Sequence, residues 1–368
     1  MQTLWIISEL FPPEETSTSY IMGEVANAAA REYAVHVIGG PEIYDRRKSI
    51  DREHPFPLDP SVRVIRAKGS KVDKNTLMGK VRSFLSMSLR LYKLARRNIQ
   101  AGDKVLLVTN PAPLVLLMAR LRRRRPFCLT ILVHDLFPEN TVPAGLRMPA
   151  YGLVKRLFDQ AYSRADKLLA LGRDMADVLK QKTAGAVPID IVENWADVNA
   201  IHPQPFPEGK VKLSFAGNIG RVQGLDKVID RLPEGVELHF YGTGASEDRL
   251  KKKGARNVYF HGPFYLAQQE AVLGAAHASI VSLADGMYGL GVPSKAYSIM
   301  AAGRPILYLG PENGEVGRLV KEHGIGYMGW PAQWDMEEMK AMGARARAVA
   351  ETVYAKERML SKLIKALA

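Results

Sequence analysis

Twelve short apolar runs punctuate the chain, and stretches of helical periodicity separate most of them. Near-continuous apolar strands alternating with amphipathic helices read as parallel sheets covered on both faces, so the pattern predicts doubly wound α/β architecture. The first set is TLWIIS (3–8), AVHVIG (34–39), VRVIR (62–66), KVLLVT (104–109), CLTILV (128–133), KLLAL (167–171) and IDIV (189–192). The pattern restarts with KLSFAG (212–217), VELHFY (236–241), VYFHG (258–262), ASIVSL (278–283) and PILYLG (305–310). Between them lies NWADVNAIHPQPFPEGK (194–210), where Pro203, Pro205 and Pro207 mark a linker. We therefore expect a domain over 1–195, a linker over 196–210 and a second domain over 211–347. The last segment, 348–368, reads as an amphipathic helix that crosses back to the first domain. A length of 368 residues fits two cores better than one. Two such domains leave a cleft faced by the carboxyl ends of both sets of strands.

The net charge is +13, and its distribution is uneven. Residues 61–125 hold 17 basic residues against Asp73 and Asp103 alone. Such a segment suits nucleic acid, an anionic membrane or a polyanionic substrate. No reading motif for nucleic acid accompanies it, and its aromatics are sparse, so nucleic acid is not expected. The single cysteine, Cys128, excludes an internal disulfide and a multi-cysteine metal site. No run of 18 apolar residues appears, and the opening MQTLWIISELFPPEE reads as a strand rather than a secretory signal. The expectation is a cytoplasmic protein.

Candidate chemistry gathers at strand ends. FAGNIGRVQGLDKVID (215–230) leaves a strand through Gly217, Asn218 and Gly220, with Arg221 able to fork two donors onto a phosphate; a plain strand–helix turn explains it about as well. YGTGASEDR (241–249) follows the next strand with two glycines, and alone it reads as a turn. GVPSKAYSIMAAGRP (291–305) starts a helix at Pro293, with Ser294 as a capping side chain and Lys295 beside it, a seat for a diphosphate. In the first half, His134 and Asp135 end a buried strand in LVHDLFPENTV (132–142). The hydroxyls of Thr16, Ser17, Thr18 and Ser19 either cap the next helix or meet a substrate.

These motifs, in this order, make the chain resemble family-4 retaining glycosyltransferases of the GT-B fold, in particular the exopolysaccharide and O-antigen branch. The resemblance covers nearly the whole length: SELFPPE, HDLFPEN, VENWADV, AGNIGRVQGLDKVID, YGTG, GVPSKAYSIMAAGRP, GPENGEVGRLV and YAKERMLSKL. It implies two Rossmann-like domains and a nucleotide-sugar donor held by the second. Gly217, Asn218, Gly220, Arg221 and Gln223 would face the diphosphate with Pro293, Ser294 and Lys295. Tyr241 and Gly242 would lie near the base, and His134 and Asp135 near the transferred sugar. It further implies transfer with retention of configuration, no cofactor and no bound metal. Many relatives carry two glutamates where this chain has Leu290 and Ser298. Ser298 can still bond a ribose hydroxyl, more weakly than a carboxylate would. Glu315, in GPENGEVGRLV, is a candidate for donor hydroxyls or for capping the following helix.

The basic segment bears on the acceptor. On a helical wheel, LMGKVRSFLSMSLRLYKLARR (77–97) puts Leu77, Val81, Phe84, Leu85, Leu91, Tyr92 and Ala95 on one side. Arg82, Arg90, Lys93 and Arg97 fall on the other, and ARLRRRRP (119–126) adds Arg122, Arg123, Arg124 and Arg125. The bland reading is a solvated basic face. The functional one is docking on anionic lipid, bringing the cleft to a polyprenyl-diphosphate-linked glycan, as the resemblance also suggests. Rivals to the transferase are a nucleotide-sugar epimerase of related architecture and a catalytically degenerate, membrane-bound sugar-nucleotide-binding protein.

Overall fold

A computed structural model describes residues 1–14, 16–42, 55–69 and 77–368, with only the backbone at 77, 78, 80 and 81. The first domain runs β1 (Thr3–Ser8), α1 (Ser17–Ala29), β2 (Ala34–Gly39), β3 (Arg63–Arg66), α2 (Leu77–Asn98), β4 (Lys104–Val108) and α3 (Pro113–Arg122). It continues through β5 (Cys128–Val133), α4 (Tyr151–Tyr162), β6 (Lys167–Ala170), α5 (Arg173–Lys182) and β7 (Ile189–Ile191). Its seven strands form one parallel sheet in the order β3-β2-β1-β4-β5-β6-β7. Leu4, Ile6, Ile7, Leu106, Leu107, Leu129 and Ile131 are fully buried in its centre, as strands covered on both faces must be.

The second domain runs β8 (Lys212–Ala216), α6 (Leu225–Asp230), β9 (Glu237–Tyr241), α7 (Glu247–Lys251), β10 (Val258–Phe260), α8 (Gln269–Gly274) and β11 (Ala278–Ser282). Then follow α9 (Lys295–Ala301), β12 (Ile306–Leu309), α10 (Glu315–His323), β13 (Gly326–Met328), α11 (Met336–Thr352) and α12 (Lys356–Leu367). Its six strands are also parallel, in the order β10-β9-β8-β11-β12-β13. In both sheets the order reverses beside the first strand, the switch point at which open α/β sheets form a crevice. The two Rossmann-like domains make a GT-B architecture.

Three features depart from the periodicity. Strand β13 is a three-residue edge strand, GYM, too short to declare itself. The expected single helix over 348–368 is two: α11 ends at Thr352 and α12 begins at Lys356. Between them the Ala196 N–H donates to the Tyr354 carbonyl (2.8 Å), and Ala196 bridges Ala355. Helix α12 packs on α1, and Lys104 and Lys167 of the first sheet donate to the Leu367 and Ala366 carbonyls. Finally, the proline-rich segment is held down. Arg304, with no solvent exposure, donates to the carbonyls of Gln204, Pro205 and Gly274 and lies 4.2 Å over the Phe206 ring.

Candidate functional site

A cavity of about 130 Å³ opens between the domains, lined by Ser17, Thr18, Ile21, His134, Asp135, Leu171, Asn194, Val292 and Ser294. Strand β5 delivers His134 and Asp135 to its wall. Their two N–H groups both donate to the Thr109 hydroxyl (3.1 and 3.3 Å), which fixes the backbone where the strand ends. The loop then pairs with the other domain: Asp135 bridges Gly291, and the Leu136 N–H donates to the Leu290 carbonyl (3.0 Å). Behind it, buried Lys182 donates to Glu139 (2.7 Å) and Asp159 (2.6 Å), anchoring the FPEN turn.

The imidazole of His134 stands with Nδ1 3.5 Å from the Thr18 hydroxyl, while Nε2 is sealed from water with no partner. Burial lowers its pKa to about 4, so the ring is neutral at physiological pH. The Asp135 side chain is open to cleft water yet hemmed in by protein. That enclosure raises its pKa to about 6.

Across the cleft, the loops after β8 and β9 are welded together. Gly217 donates to the Tyr241 carbonyl (2.8 Å), Ile219 to the Thr243 carbonyl (3.0 Å) and Ser246 Oγ to the Gly220 carbonyl (3.1 Å). Gly217 and Gly242 adopt φ of 128° and 129°, and a Cβ on Gly242 would sit 1.9 Å from the Gly217 carbonyl oxygen. Only glycine satisfies both demands. A Cβ on Gly217 would lie 3.3 Å from Lys295 Nζ. That amine is sealed from water, has no hydrogen-bond partner and stands 3.4 Å from the centroid of the Phe215 ring. Burial lowers its pKa to about 7, although part of its stem is exposed. Gln223 Oε1 is likewise buried without a partner, close to Gly220. Asn218 and Arg221 are exposed on the same loop. The orphaned Lys295 amine beside a glycine-lined loop end fits an anionic ligand, whereas the Gln223 oxygen lacks a donor, such as a ligand hydroxyl.

Several expected residues take other places. Thr16 caps α1, accepting from the Ser19 N–H (3.2 Å), and Ser19 is fully buried, so only Ser17 and Thr18 of that loop reach the cavity. Ser294 lines the cavity but makes no capping bond. Leu290 is buried beside the bridge, and Ser298 lies half-buried along α9, one turn beyond Ser294. Tyr241 is half-buried and stacked on His261, with centroids 4.4 Å apart.

Glu315 is a correction. Its carboxylate, 4 % exposed, accepts from the Arg173 N–H (2.6 Å), Nε (3.1 Å) and Nη2 (3.0 Å), so most of its acceptor capacity is taken by the first domain. Asp174 returns the contact by accepting from the Glu315 N–H (3.0 Å). Each domain thus caps the first turn of a helix in the other.

The basic patch also divides. Arg122 pairs with Asp166, Arg125 caps α2 through the Arg96 and Ile99 carbonyls, and Arg90 donates to the Lys68 and Gly69 carbonyls. These three are structural. Arg82, Lys93, Arg97, Arg123 and Arg124 stay exposed, whereas Leu85, assigned to the buried side of the wheel, is 47 % exposed. The side chains of Leu77 and Val81 lie outside the described residues.

Asn194 escaped the sequence reading. It is 3 % exposed and lines the cavity. A polar side chain directly after an apolar strand run, at the lip of the linker, was the available signal. Among the described residues no cluster of three His, Cys, Asp or Glu side chains could hold a metal ion, and no helix is long and apolar enough to cross a membrane.

Comparison with known proteins identifies the family. The sequence profile of Glycosyltransferase Family 4 matches residues 19–200. The probable glycosyltransferase WbjE of Pseudomonas aeruginosa is 35% identical over 354 residues, spanning 89% of this chain and 85% of that protein. The putative colanic acid biosynthesis glycosyl transferase WcaI of Escherichia coli is 28% identical over 56% of each chain. Among solved structures, Anabaena Alr3699/HepE in complex with UDP superimposes with a TM-score of 0.67 at 14% identity, covering 100% of this chain and 99% of the other. The chain belongs to glycosyltransferase family 4.

Proposed function

We propose that this glycosyltransferase moves a hexosyl or N-acetylhexosaminyl group from a nucleotide-sugar donor to a polyprenyl-diphosphate-linked glycan, with retention of configuration, in cell-surface polysaccharide synthesis. The observation that carries the reading is the Lys295 amine, sealed and unpartnered against Gly217 at the end of β8. A diphosphate on the Gly217–Gly220 loop would supply the missing anion, with Arg221 and Gln223 on the same loop. The complexes of HepE with UDP and UDP-glucose support a donor of this class. The names of WbjE and WcaI support the polysaccharide setting.

In this mechanism the bond from the anomeric carbon to the diphosphate oxygen breaks as the acceptor hydroxyl oxygen bonds to that carbon, and the hydroxyl proton passes to the departing diphosphate. Negative charge grows on the departing oxygen, where Arg221 and protonated Lys295 stabilise it, so neither a cofactor nor a metal is required. Positive charge grows on the anomeric carbon, where the Asp135 carboxylate is placed to offset it. Neutral His134 can donate or accept a hydrogen bond at the sugar, and Ser17, Thr18 and Asn194 hold its hydroxyls. The setting is the cytoplasmic face of a membrane, with no role for nucleic acid.

The test is a thermal-shift panel with UDP, GDP, ADP, dTDP and CMP, each with and without EDTA. A ligand at 100 times its dissociation constant adds about 2.7 kcal/mol. One nucleoside diphosphate stabilising the protein equally in EDTA supports the reading and identifies the donor class. Five null results overturn it. Anomeric NMR of the transfer product then decides retention.

A further inference from the structure

Six large apolar side chains stand exposed in one region of the first domain: Val142 (61 %), Leu146 (41 %), Leu153 (62 %), Leu157 (46 %), Leu85 (47 %) and Leu89 (49 %). They belong to two neighbouring helices and the loop before one of them. Helices α2 and α4 flank α3 on one face of the sheet. Phe84 of α2, Phe137 and Phe158 of α4 form an aromatic chain linking them, with centroids 6.5 and 4.8 Å apart.

The exposed stripe of α2 reads Arg82, Leu85, Leu89, Lys93, at helical spacing; that of α4 reads Leu153, Arg156, Leu157. Arg147 is exposed on the loop between Leu146 and α4. Neither α2 nor the stretch 140–158 contains an acidic residue. The nearest acids, Glu139 and Asp159, are neutralised by Lys155 and Lys182. Leucines ringed by cations that have no ion-pair partner among the described residues fit an interface whose headgroups are negative and whose interior is hydrocarbon.

The ridge also has a direction. Both helices start at the carboxyl ends of the strands, the cleft side, and the 142–149 loop reaches the other domain where a Cβ on Gly286 would lie 3.8 Å from Pro143. Arg123 and Arg124, at the carboxyl end of α3, lie at the opposite end of the sheet.

We infer that this leucine ridge, and not the Arg122–Arg125 cluster, seats the enzyme on an anionic lipid bilayer, with Leu153 and Leu157 entering the acyl boundary beside the mouth of the cleft. The inference rests on the lipid-linked acceptor reading, because it presents the cleft to a substrate confined to the membrane.

The experiment is co-sedimentation of the full chain with vesicles of phosphatidylcholine, alone or mixed with phosphatidylglycerol. The wild type should bind the mixed vesicles and not the neutral ones. Leu153→Ser with Leu157→Ser should weaken that binding at least about tenfold, and Arg82→Ser with Lys93→Ser should weaken it and flatten its salt dependence. Arg123→Ser with Arg124→Ser should leave it unchanged. All these side chains are exposed, and matched melting temperatures show that the variants fold. Overturning results are a wild type that ignores mixed vesicles, a leucine variant that binds as the wild type does, or one that instead converts a dimer to a monomer. Transfer to a short-chain, water-soluble acceptor without vesicles separates the claims: if it proceeds while vesicle binding fails, the ridge is wrong and the transferase reading stands.

Discussion

The Lys295 amine stands 3.4 Å from the centroid of the Phe215 ring and meets no oxygen. A buried cation held only by a ring face is poorly compensated, which is why its pKa falls to about 7. The folded chain therefore binds fewer protons there than the unfolded chain above that pH. Stability from this group is present at high pH and is lost as pH falls through about 7. Lys295→Met should remove that slope and raise stability at pH 6 by roughly 1–3 kcal/mol, while abolishing the thermal shift with nucleoside diphosphate. Denaturant titrations at pH 6 and 9 check it.

The same amine makes nucleotide binding depend on pH. A diphosphate favours the protonated form, so binding above pH 7 must take up a proton. Affinity should be flat below that value and fall about tenfold per unit above it, whereas Lys295→Met should show weak, pH-independent binding. Calorimetry in two buffers of different ionisation enthalpy reads the proton directly.

Asp135 is the converse case. Its raised pKa, about 6, leaves it protonated in mild acid, where it cannot offset positive charge on the anomeric carbon. The value of kcat/KM should rise through about pH 6, and Asp135→Asn should lose that limb with most of the turnover. Its nucleotide affinity should stay within about threefold of the wild type, since Asp135 lines the cavity between the domains and the proposed nucleotide seat is the Gly217 loop.

Gly242→Ala should be severe on backbone grounds alone. The added Cβ would meet the Gly217 carbonyl oxygen at 1.9 Å, from a backbone with φ of 129°. The chain must move one of the two loops proposed to seat the diphosphate. A loss of about 3 kcal/mol or more is expected, with the nucleotide shift lost even where the protein remains folded.

Arg173→Ala tests the clasp between domains. It strands the Glu315 carboxylate, 4 % exposed, with fewer donors, at a cost of roughly 2–3 kcal/mol. Glu315→Gln should be milder and should change nucleotide affinity by less than about threefold. A tenfold loss there would mean that the carboxylate reaches the donor after all.

How much of this was legible beforehand follows from what is local. Apolar periodicity placed the twelve runs that became strands, because burying both faces of a parallel sheet demands continuous apolar segments. Glycines beside strand ends marked Gly217, Gly220 and Gly242; at Gly217 and Gly242 a positive φ, and at Gly242 a close backbone approach as well, leave no other residue. His134 and Asp135 were visible for the same reason: they stand where a buried strand stops. Tertiary structure decided the rest. Glu315 met Arg173, 142 positions away, and Arg122 met Asp166, 44 positions away. No pattern along the chain announces which carboxylate a distant guanidinium will take. Leu85 was assigned to the core because a wheel knows one helix and not its neighbours. Asn194 acquired meaning only at the cavity between the domains, and the Lys295 amine only once Phe215 and Gly217 enclosed it, because a side chain's surroundings are not contained in the sequence.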